Sequence, residues 1–195
     1  MEAKDLNAQI LLIGYSQGCF PMPDSRDPRQ INWYRPNPRA IIPLELLHIS
    51  RSMRRELRRH STEVHFNRAF SEVMRQCANR PETWITEDFI RAYSELNAQG
   101  FAHSVEIYRN DRLVGGLYGV AIGAAFFAES MFHLEPNTSK LALIKLVERL
   151  REKGFQLLEC QFLTSHLESM GAIEIEDSEY AVRLANALEA KASFL

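Results

Sequence analysis

Three consecutive apolar segments constrain the fold of this chain more than any other feature of its sequence. Residues 102–109, 112–122 and 124–132 alternate or run apolar with the two-residue period of β-strands. Asn110-Asp111 and Gly123 supply the turns between them. Strands joined by such short turns pair as antiparallel neighbours, so the sequence predicts a β-meander in the second half of the chain.

Helical patterns and shorter strand patterns surround this meander. Apolar residues at helical spacing predict helices over residues 6–17, 50–60, 69–78, 87–98, 139–153 and 179–190, with Ser50 and Thr86 as N-caps and a further helical turn near His166. Short strands are predicted over residues 39–43, 64–67, 156–162 and 172–176, and the proline-rich residues 21–38 are predicted to form an ordered loop. The pattern predicts an α+β fold, with a small helical and loop lobe over residues 1–38 and a main domain over residues 39–195.

Composition excludes several classes of protein. The three cysteines of the 195-residue chain form no C-x-x-C pair and the six histidines show no ligand spacing, so we expect neither a disulfide framework nor a bound metal. The longest uncharged run, residues 113–128, has 16 residues and four glycines and is too short to cross a membrane. The N-terminus lacks the features of a signal peptide, and we expect a cytoplasmic protein.

Three polar residues interrupt strands that are otherwise apolar. Glu129 lies in residues 125–132, and Glu159 and Gln161 lie two residues apart in residues 156–162, where strand alternation puts both on one face. Burying a carboxylate without a purpose or a partner costs free energy. These residues are therefore candidates for a functional site, with structural hydrogen bonding as the alternative.

Positive charge is concentrated in one part of a chain whose net charge is only −2. Residues 26–59 contain nine arginines against three acids, whereas residues 163–190 carry a balance of −5. Four of the arginines recur at i, i+3, i+4 and i+7 and share one helical face: Arg51, Arg54, Arg55 and Arg58. Such a face is suited to a phosphate backbone, and a solvated surface helix explains the spacing equally well.

Residues 14–18 match the G-x-S-x-G motif of serine hydrolases. Because that motif needs a strand before its serine and a helix after it, and Ser16 falls inside a predicted helix, we interpret the match as accidental.

Ordered motifs over residues 12–171 give the chain a strong resemblance to the leucyl/phenylalanyl-tRNA–protein transferase family. They are Gly18-Cys19-Phe20-Pro21, Trp33 with Pro36-Asn37-Pro38-Arg39, Leu47-His48-Ile49-Ser50-Arg51-Ser52, Thr83-Trp84-Ile85-Thr86, Ala102-His103-Ser104-Val105-Glu106, Val114-Gly115-Gly116-Leu117-Tyr118-Gly119-Val120, Glu129-Ser130-Met131-Phe132, Asn137-Thr138-Ser139-Lys140 and Glu159-Cys160-Gln161. The resemblance implies an acetyltransferase-like (GNAT-type) domain over residues 39–195 and a truncated N-terminal lobe. The sequence departs from the family pattern at Met22, where Trp is frequent, at Ala128, where Gly is frequent, and at Glu159, where Asp is common.

The resemblance also implies an activity and a set of site residues. The activity is transfer of Leu, Phe or Met from charged tRNA to acceptor proteins with N-terminal Arg or Lys, which marks them for N-degron proteolysis and requires no cofactor. An apolar pocket would consist of Leu117, Phe126, Met131 and Leu158, with Trp84 near the adenosine. Glu129 would hold the α-amine of the amino acid, and Glu159 and Gln161 would assist the reaction. The alternative is an acetyl-CoA-dependent N-acetyltransferase, which would share the implied fold but would need a phosphate-binding loop that residues 134–137 do not resemble.

Overall fold

The computed structural model describes residues 1–58 and 62–195. Its helices are α1 (Ala8–Ser16), α2 (Arg51–Glu56), α3 (Phe70–Ala78), α4 (Glu87–Ala98), α5 (Thr138–Glu152), α6 (Ser165–Glu168) and α7 (Asp177–Glu189), with 3₁₀ turns at Ala3–Asp5 and Leu44–Leu46. Its strands are β1 (Phe20–Pro23), β2 (Ile31–Tyr34), β3 (Arg39–Ile41), β4 (Thr62–Phe66), β5 (Ala102–Arg109), β6 (Arg112–Ile122), β7 (Ala125–His133), β8 (Leu157–Glu159) and β9 (Ile173–Ile175). The α+β class predicted from the sequence is confirmed.

A seven-stranded mixed sheet in the order β4-β5-β6-β7-β8-β3-β9 forms the centre of the molecule. Strands β5, β6 and β7 pair antiparallel as the predicted meander. β8 joins β7 in parallel after the crossover through α5, and the remaining pairs in the sheet are antiparallel. The parallel pair distinguishes this sheet from a plain meander. The candidate site lies where this pairing ends, at the carboxyl ends of β7 and β8.

Helices cover both faces of the sheet. Side chains of α1, α3, α4 and α7 pack against one face in a hydrophobic cluster that includes Tyr118 and Phe127. On the other face, α5 and Met53 of α2 pack against Leu117 and Phe126. Neighbouring residues of a strand thus enter different clusters, as strand alternation requires.

Three local predictions were wrong. Within residues 21–38, predicted as a loop, β1 and β2 form a two-stranded antiparallel sheet, and the prolines of β1 are tolerated because this sheet has only edge strands. Ser50 caps α2 through Met53 N, yet this helix ends at Glu56, so its predicted continuation is wrong at residues 57 and 58, and residues 59 and 60 lie outside those described. β8 ends at Glu159 instead of reaching residue 162.

Thr86 occupies the N-cap position of α4 as predicted, but its side chain makes no capping hydrogen bond. Among the helices of residues 1–58 and 62–195, none is long and apolar enough to cross a membrane.

Candidate active site

A cavity of about 270 Å³ lies where β7 and β8 stop pairing. Residues 125–127 of β7 pair with residues 157–159 of β8, after which β7 continues to His133 while the chain leaves β8. Residues 128–131 form one wall of the cavity, and residues 160–162, 164, 166 and 167 form the other. Its remaining lining comes from Ile42, Arg80, Leu117 and Leu143. An apolar cavity at the carboxyl ends of adjacent parallel strands is a usual location for a ligand site.

Glu129 enters this cavity because β7 is irregular at that residue. In the β6–β7 pair the register moves from Tyr118 opposite Ser130 to Gly119 opposite Ala128, which leaves Glu129 as the extra residue of a β-bulge. Gly119 is required here, since a Cβ at this position would lie 2.3 Å from the carbonyl oxygen of Phe127. The bulge turns a carboxylate toward the cavity from a strand whose preceding residues 125–127 pack in the core.

The Glu129 carboxylate has three polar neighbours. Gln161 Nε2 donates to its Oε1 at 3.0 Å, and Tyr93 OH makes a longer contact of 3.5 Å with its Oε2. Tyr15 OH in turn hydrogen-bonds Tyr93 OH. Burial raises the pKa of Glu129 to about 8, although hydrogen bonds from Tyr15, Gln161 and Tyr93 favour its ionised form and oppose the shift.

Glu159 and Gln161 lie together for a different reason from the one predicted. β8 ends at Glu159, and Gln161 adopts a left-handed backbone with φ of +65°, so the two residues are not alternate members of one strand. Instead, Gln161 N–H donates to Glu159 Oε1 at 2.8 Å while the Gln161 amide reaches Glu129. Glu159 is 1% exposed and does not line the cavity, so its hydrogen bond to the site is through the Gln161 backbone, and its charge also contributes to the raised pKa of Glu129.

The buried Glu159 carboxylate is also paired with a cation. Arg39 Nη1 donates to Glu159 Oε1 at 3.2 Å, and both side chains are 1% exposed. Burial raises the pKa of Glu159 to about 7, and the charge of Arg39 is the largest influence in the opposite direction. Because Arg39 and Glu159 lie 120 positions apart, no local sequence pattern indicates this pair.

The structure places only part of the predicted apolar pocket at the cavity. Leu117 and Met131 line it, whereas Phe126 and Leu158 lie within the core and do not. Phe126 stacks on Phe194 instead. Trp84 packs edge-to-face on Phe89, outside the cavity lining.

Other residues at the cavity were missed by the sequence analysis. Arg80 and His166 line the cavity but were not predicted to belong to a site, and Tyr15, which lies behind it and hydrogen-bonds Tyr93, was predicted only as part of a helix. Arg80 Nη2 donates to Ser130 Oγ at 3.3 Å. His166 Nε2 is buried beside the cavity without a hydrogen-bond partner in the part of the chain that the structure describes. Ser16 lies in α1 with no strand before it, so the hydrolase motif is indeed accidental.

The four arginines of the predicted basic face lie on or just after α2, where all four are exposed: Arg51, Arg54, Arg55 and Arg58. Within residues 1–58 and 62–195, no ion pair ties any of them to an acid. Their charge is therefore available to an external polyanion. No group of three or more His, Cys, Asp or Glu side chains that could hold a metal occurs in the same described ranges.

An apolar cavity lined by a few convergent polar groups, one of them a carboxyl of raised pKa, is typical of an enzyme active site. Two family models match the chain: the leucyl/phenylalanyl-tRNA protein transferase N-terminal domain over residues 4–37 and leucyl/phenylalanyl-tRNA protein transferase over residues 41–185. The chain belongs to the leucyl/phenylalanyl-tRNA–protein transferase family.

Individual proteins of this family align with this chain over nearly the whole length of both chains. A leucyl/phenylalanyl-tRNA–protein transferase of Herpetosiphon aurantiacus is 50% identical over 98% of this chain and 99% of its own. Those of Paramagnetospirillum magneticum and Rubrobacter xylanophilus are 49% and 48% identical, over 98% and 97% of this chain and 93% and 98% of theirs. These matches give no support to the acetyl-CoA-dependent alternative.

A solved structure, L-PGS from Bacillus licheniformis, covers 84% of this chain and 55% of its own with a TM-score of 0.45 and 13% identity. That likeness is too low to assign a fold family. The GNAT-type topology and the division at residue 38 therefore stay predictions.

Proposed function

We propose that this enzyme transfers leucine, phenylalanine or methionine from charged tRNA to the N-terminal amine of acceptor proteins that begin with Arg or Lys. Membership of the family supports the activity, and the cavity with Glu129 and Gln161 at its polar end supports the location. The reaction needs neither ATP nor a metal, because the aminoacyl ester is already activated. The product would be a substrate for N-degron proteolysis, and its place would be the cytoplasm.

The cavity is suited to a large apolar side chain. Leu117, Met131, Ile42 and Leu143 provide an uncharged surface that favours Leu, Phe and Met through burial. A pocket of this kind rejects smaller apolar side chains only modestly, by about 1–3 kcal/mol for each missing methylene. Phe126 and Leu158 would then act from behind the wall, by supporting its shape.

Glu129 is proposed to hold the α-amine of the aminoacyl group. Its carboxylate lies at the cavity wall, where a bound ammonium group would lie within reach while the side chain enters the apolar part. Its pKa of about 8 means that much of the empty site carries a protonated Glu129 at neutral pH. A bound ammonium group would favour the ionised carboxylate, so binding and deprotonation are coupled.

Gln161 is proposed to act on the reacting ester. The acceptor amine attacks the ester carbonyl carbon, a C–N bond forms, the C–O bond to the ribose breaks, and the amine proton passes to the departing ribose oxygen directly or through water. An amide can donate to one atom and accept from another during these steps. Glu159 does not touch the cavity, so its proposed role is to fix the backbone of Gln161.

The four exposed arginines on and just after α2 are proposed to bind the phosphate backbone of the tRNA acceptor stem. Arg51, Arg54, Arg55 and Arg58 are exposed and free of acidic partners among the described residues, as phosphate contacts require. Trp84 remains the aromatic side chain proposed for the terminal adenosine, although it lies outside the cavity lining.

A direct assay tests the function. The enzyme is incubated with leucyl-tRNA and a peptide that begins with Arg or Lys, and the product mass is measured. We expect addition of one leucine residue, with much less addition to a matched peptide that begins with Ala and none to an N-acetylated peptide. A parallel reaction with acetyl-CoA should leave the peptide mass unchanged. Lack of leucine transfer under these conditions, or acetylation in the parallel reaction, would contradict the proposal.

A further inference from the structure

Arg39 is fully buried, which is unusual for a residue that is always charged. It lies on β3, the strand between β8 and β9 in the sheet. Its backbone is paired with Ile175 of β9, and two residues later Ile41 is paired with Glu159 of β8. Its side chain is therefore held at the point where β8 ends and the wall of the cavity begins.

The Arg39 guanidinium joins three separate parts of the chain. Nη2 donates to the carbonyl oxygen of Gly18, after α1, and Nη1 donates to Glu159 Oε1 at 3.2 Å. The guanidinium carbon lies 4.3 Å from the centre of the Tyr180 ring in α7 and 5.7 Å from that of Phe20. Nε is buried without a partner in the described part of the chain. The orientation of the group is thus set by Gly18, Tyr180 and Glu159 together.

From Arg39 a continuous set of hydrogen bonds leads into the cavity. The same Glu159 oxygen that binds Arg39 accepts the backbone N–H of Gln161 at 2.8 Å. Gln161 holds a left-handed backbone with φ of +65°, which a residue with a side chain rarely adopts without support from its surroundings. Its amide donates to Glu129 at 3.0 Å. The Glu159 carboxylate thus stabilises a strained backbone that aims the Gln161 amide at Glu129.

We propose that Arg39 is a positioning residue for the transfer reaction, because it holds Glu159 where that carboxylate fixes the Gln161 turn at the cavity. The proposal rests on the function proposed above for Gln161. Stability alone does not account for the pair, since a buried ion pair is often no more stabilising than apolar side chains of similar size. Arg39 does not line the cavity, so it acts only through Glu159.

Arg35 provides a matched control. Its Nη1 donates to the carbonyl oxygen of Gln17 at 2.9 Å and its Nε binds Asp177 at 2.9 Å, so it joins the end of α1 to α7 as Arg39 does, without touching Glu159. The test compares Arg39→Met with Arg35→Met in leucine transfer under saturating leucyl-tRNA and peptide, after melting curves have established the folded fraction. We expect kcat of Arg39→Met to fall by about 10–100-fold, the scale of a misplaced catalytic group. KM for leucyl-tRNA should stay within about threefold, and Arg35→Met should keep the kcat of the wild type.

A double-mutant cycle with Glu159→Gln shows whether Arg39 acts through that carboxylate. If it does, Arg39→Met/Glu159→Gln should be no slower than the slower single variant by more than about threefold, whereas independent effects would multiply. The double variant buries no unpaired charge and should fold even if Arg39→Met does not. In that case its kcat should lie about 10–100-fold below that of the wild type, and no lower than that of Gln161→Ala.

Specific results would overturn the proposal. One is a kcat of the double variant that equals the product of the two single losses. Another is an equal loss of kcat in Arg35→Met and Arg39→Met. The third is a folded double variant that transfers leucine at the wild-type rate. If the wild-type enzyme itself transfers no leucine, the proposed function fails instead, so the two failures are distinct.

Discussion

Replacing Gln161 by alanine isolates the contribution of one amide at the cavity. The substitution removes the donor that lies 3.0 Å from Glu129 Oε1 but keeps the backbone N–H that binds Glu159. Alanine and glutamine both carry a Cβ, so the left-handed backbone is similarly strained in each. We therefore expect the turn to persist and the loss to fall on the chemical step.

The expected magnitude follows from the loss of one catalytic hydrogen-bonding group. Removing such a group lowers kcat by about 10²–10³, which corresponds to about 2.7–4 kcal/mol of transition-state stabilisation. Affinity for leucyl-tRNA should change little, because the proposed phosphate contacts lie on α2. Gln161→Glu should be as slow at neutral pH, since it keeps the size, loses the donor and sets a third carboxyl beside Glu129 and Glu159. This crowding should raise the pKa of at least one carboxyl and shift the pH profile.

Single-turnover transfer under saturating leucyl-tRNA and peptide measures the chemical step, and filter binding measures tRNA affinity separately. Gln156→Ala is the matched control, because Gln156 is an exposed glutamine just before β8 and away from the cavity. It should transfer leucine at the wild-type rate. A Gln161→Ala variant that also transfers at that rate would refute the role assigned to the amide, and a loss confined to tRNA affinity would move Gln161 from the reaction to binding.

Three other predictions address the pocket, the basic face and the buried carboxyl. Met131→Ala enlarges the cavity, so kcat/KM for leucine transfer should fall roughly tenfold more than kcat/KM for phenylalanine transfer. Equal losses for the two amino acids would show that Met131 does not form the wall of the side-chain pocket. Arg54→Ala/Arg55→Ala should weaken the binding of all charged tRNAs alike and reduce the slope of log K for tRNA binding against log salt concentration by roughly one to two units. The control Arg112→Ala/Arg183→Ala should leave both unchanged. An unchanged slope in Arg54→Ala/Arg55→Ala would leave α2 as an ordinary surface helix. The pKa of Glu129 is raised to about 8 from 4.5, so the folded state keeps a proton that the unfolded state loses, and this residue costs stability as pH rises between those values. Urea unfolding of Glu129→Gln should therefore show its stability, relative to the wild type, increasing from pH 5 to pH 8, and a constant difference would contradict the raised pKa.

Regular helices and strands could be predicted because their apolar residues recur with the period of the element. The meander over residues 102–132 and helix α5 were recognised from alternation and from the helical stripe. Their ends were clear because turns and glycines bound them. The sheet order was not predictable, since β3 inserts between β8 and β9 from a position more than 100 residues earlier in the sequence. Strand order depends on long-range pairing that no local pattern encodes.

The polar residues of the site could be found, but their arrangement could not. Glu129 stood out as a carboxylate in an apolar strand, yet the bulge that turns it into the cavity depends on the register with Gly119. The family resemblance implied that Phe126 and Leu158 belong to the pocket. Both instead lie in the core, since β7 and β8 are still paired at residues 126 and 158 and the cavity begins only beyond that pairing.

Glu159 and Gln161 show why the arrangement of the site residues could not be predicted from the sequence. A continuous strand would have placed both side chains on one face and let both reach a substrate. The left-handed backbone at Gln161 instead separates their roles, because one side chain enters the cavity while the other is buried with Arg39. Irregular backbone of this kind is frequent at functional sites and breaks the periodicity on which sequence reasoning depends. The motif therefore identified which residues matter, whereas only the structure separates the side chain at the cavity from the buried one that orients it.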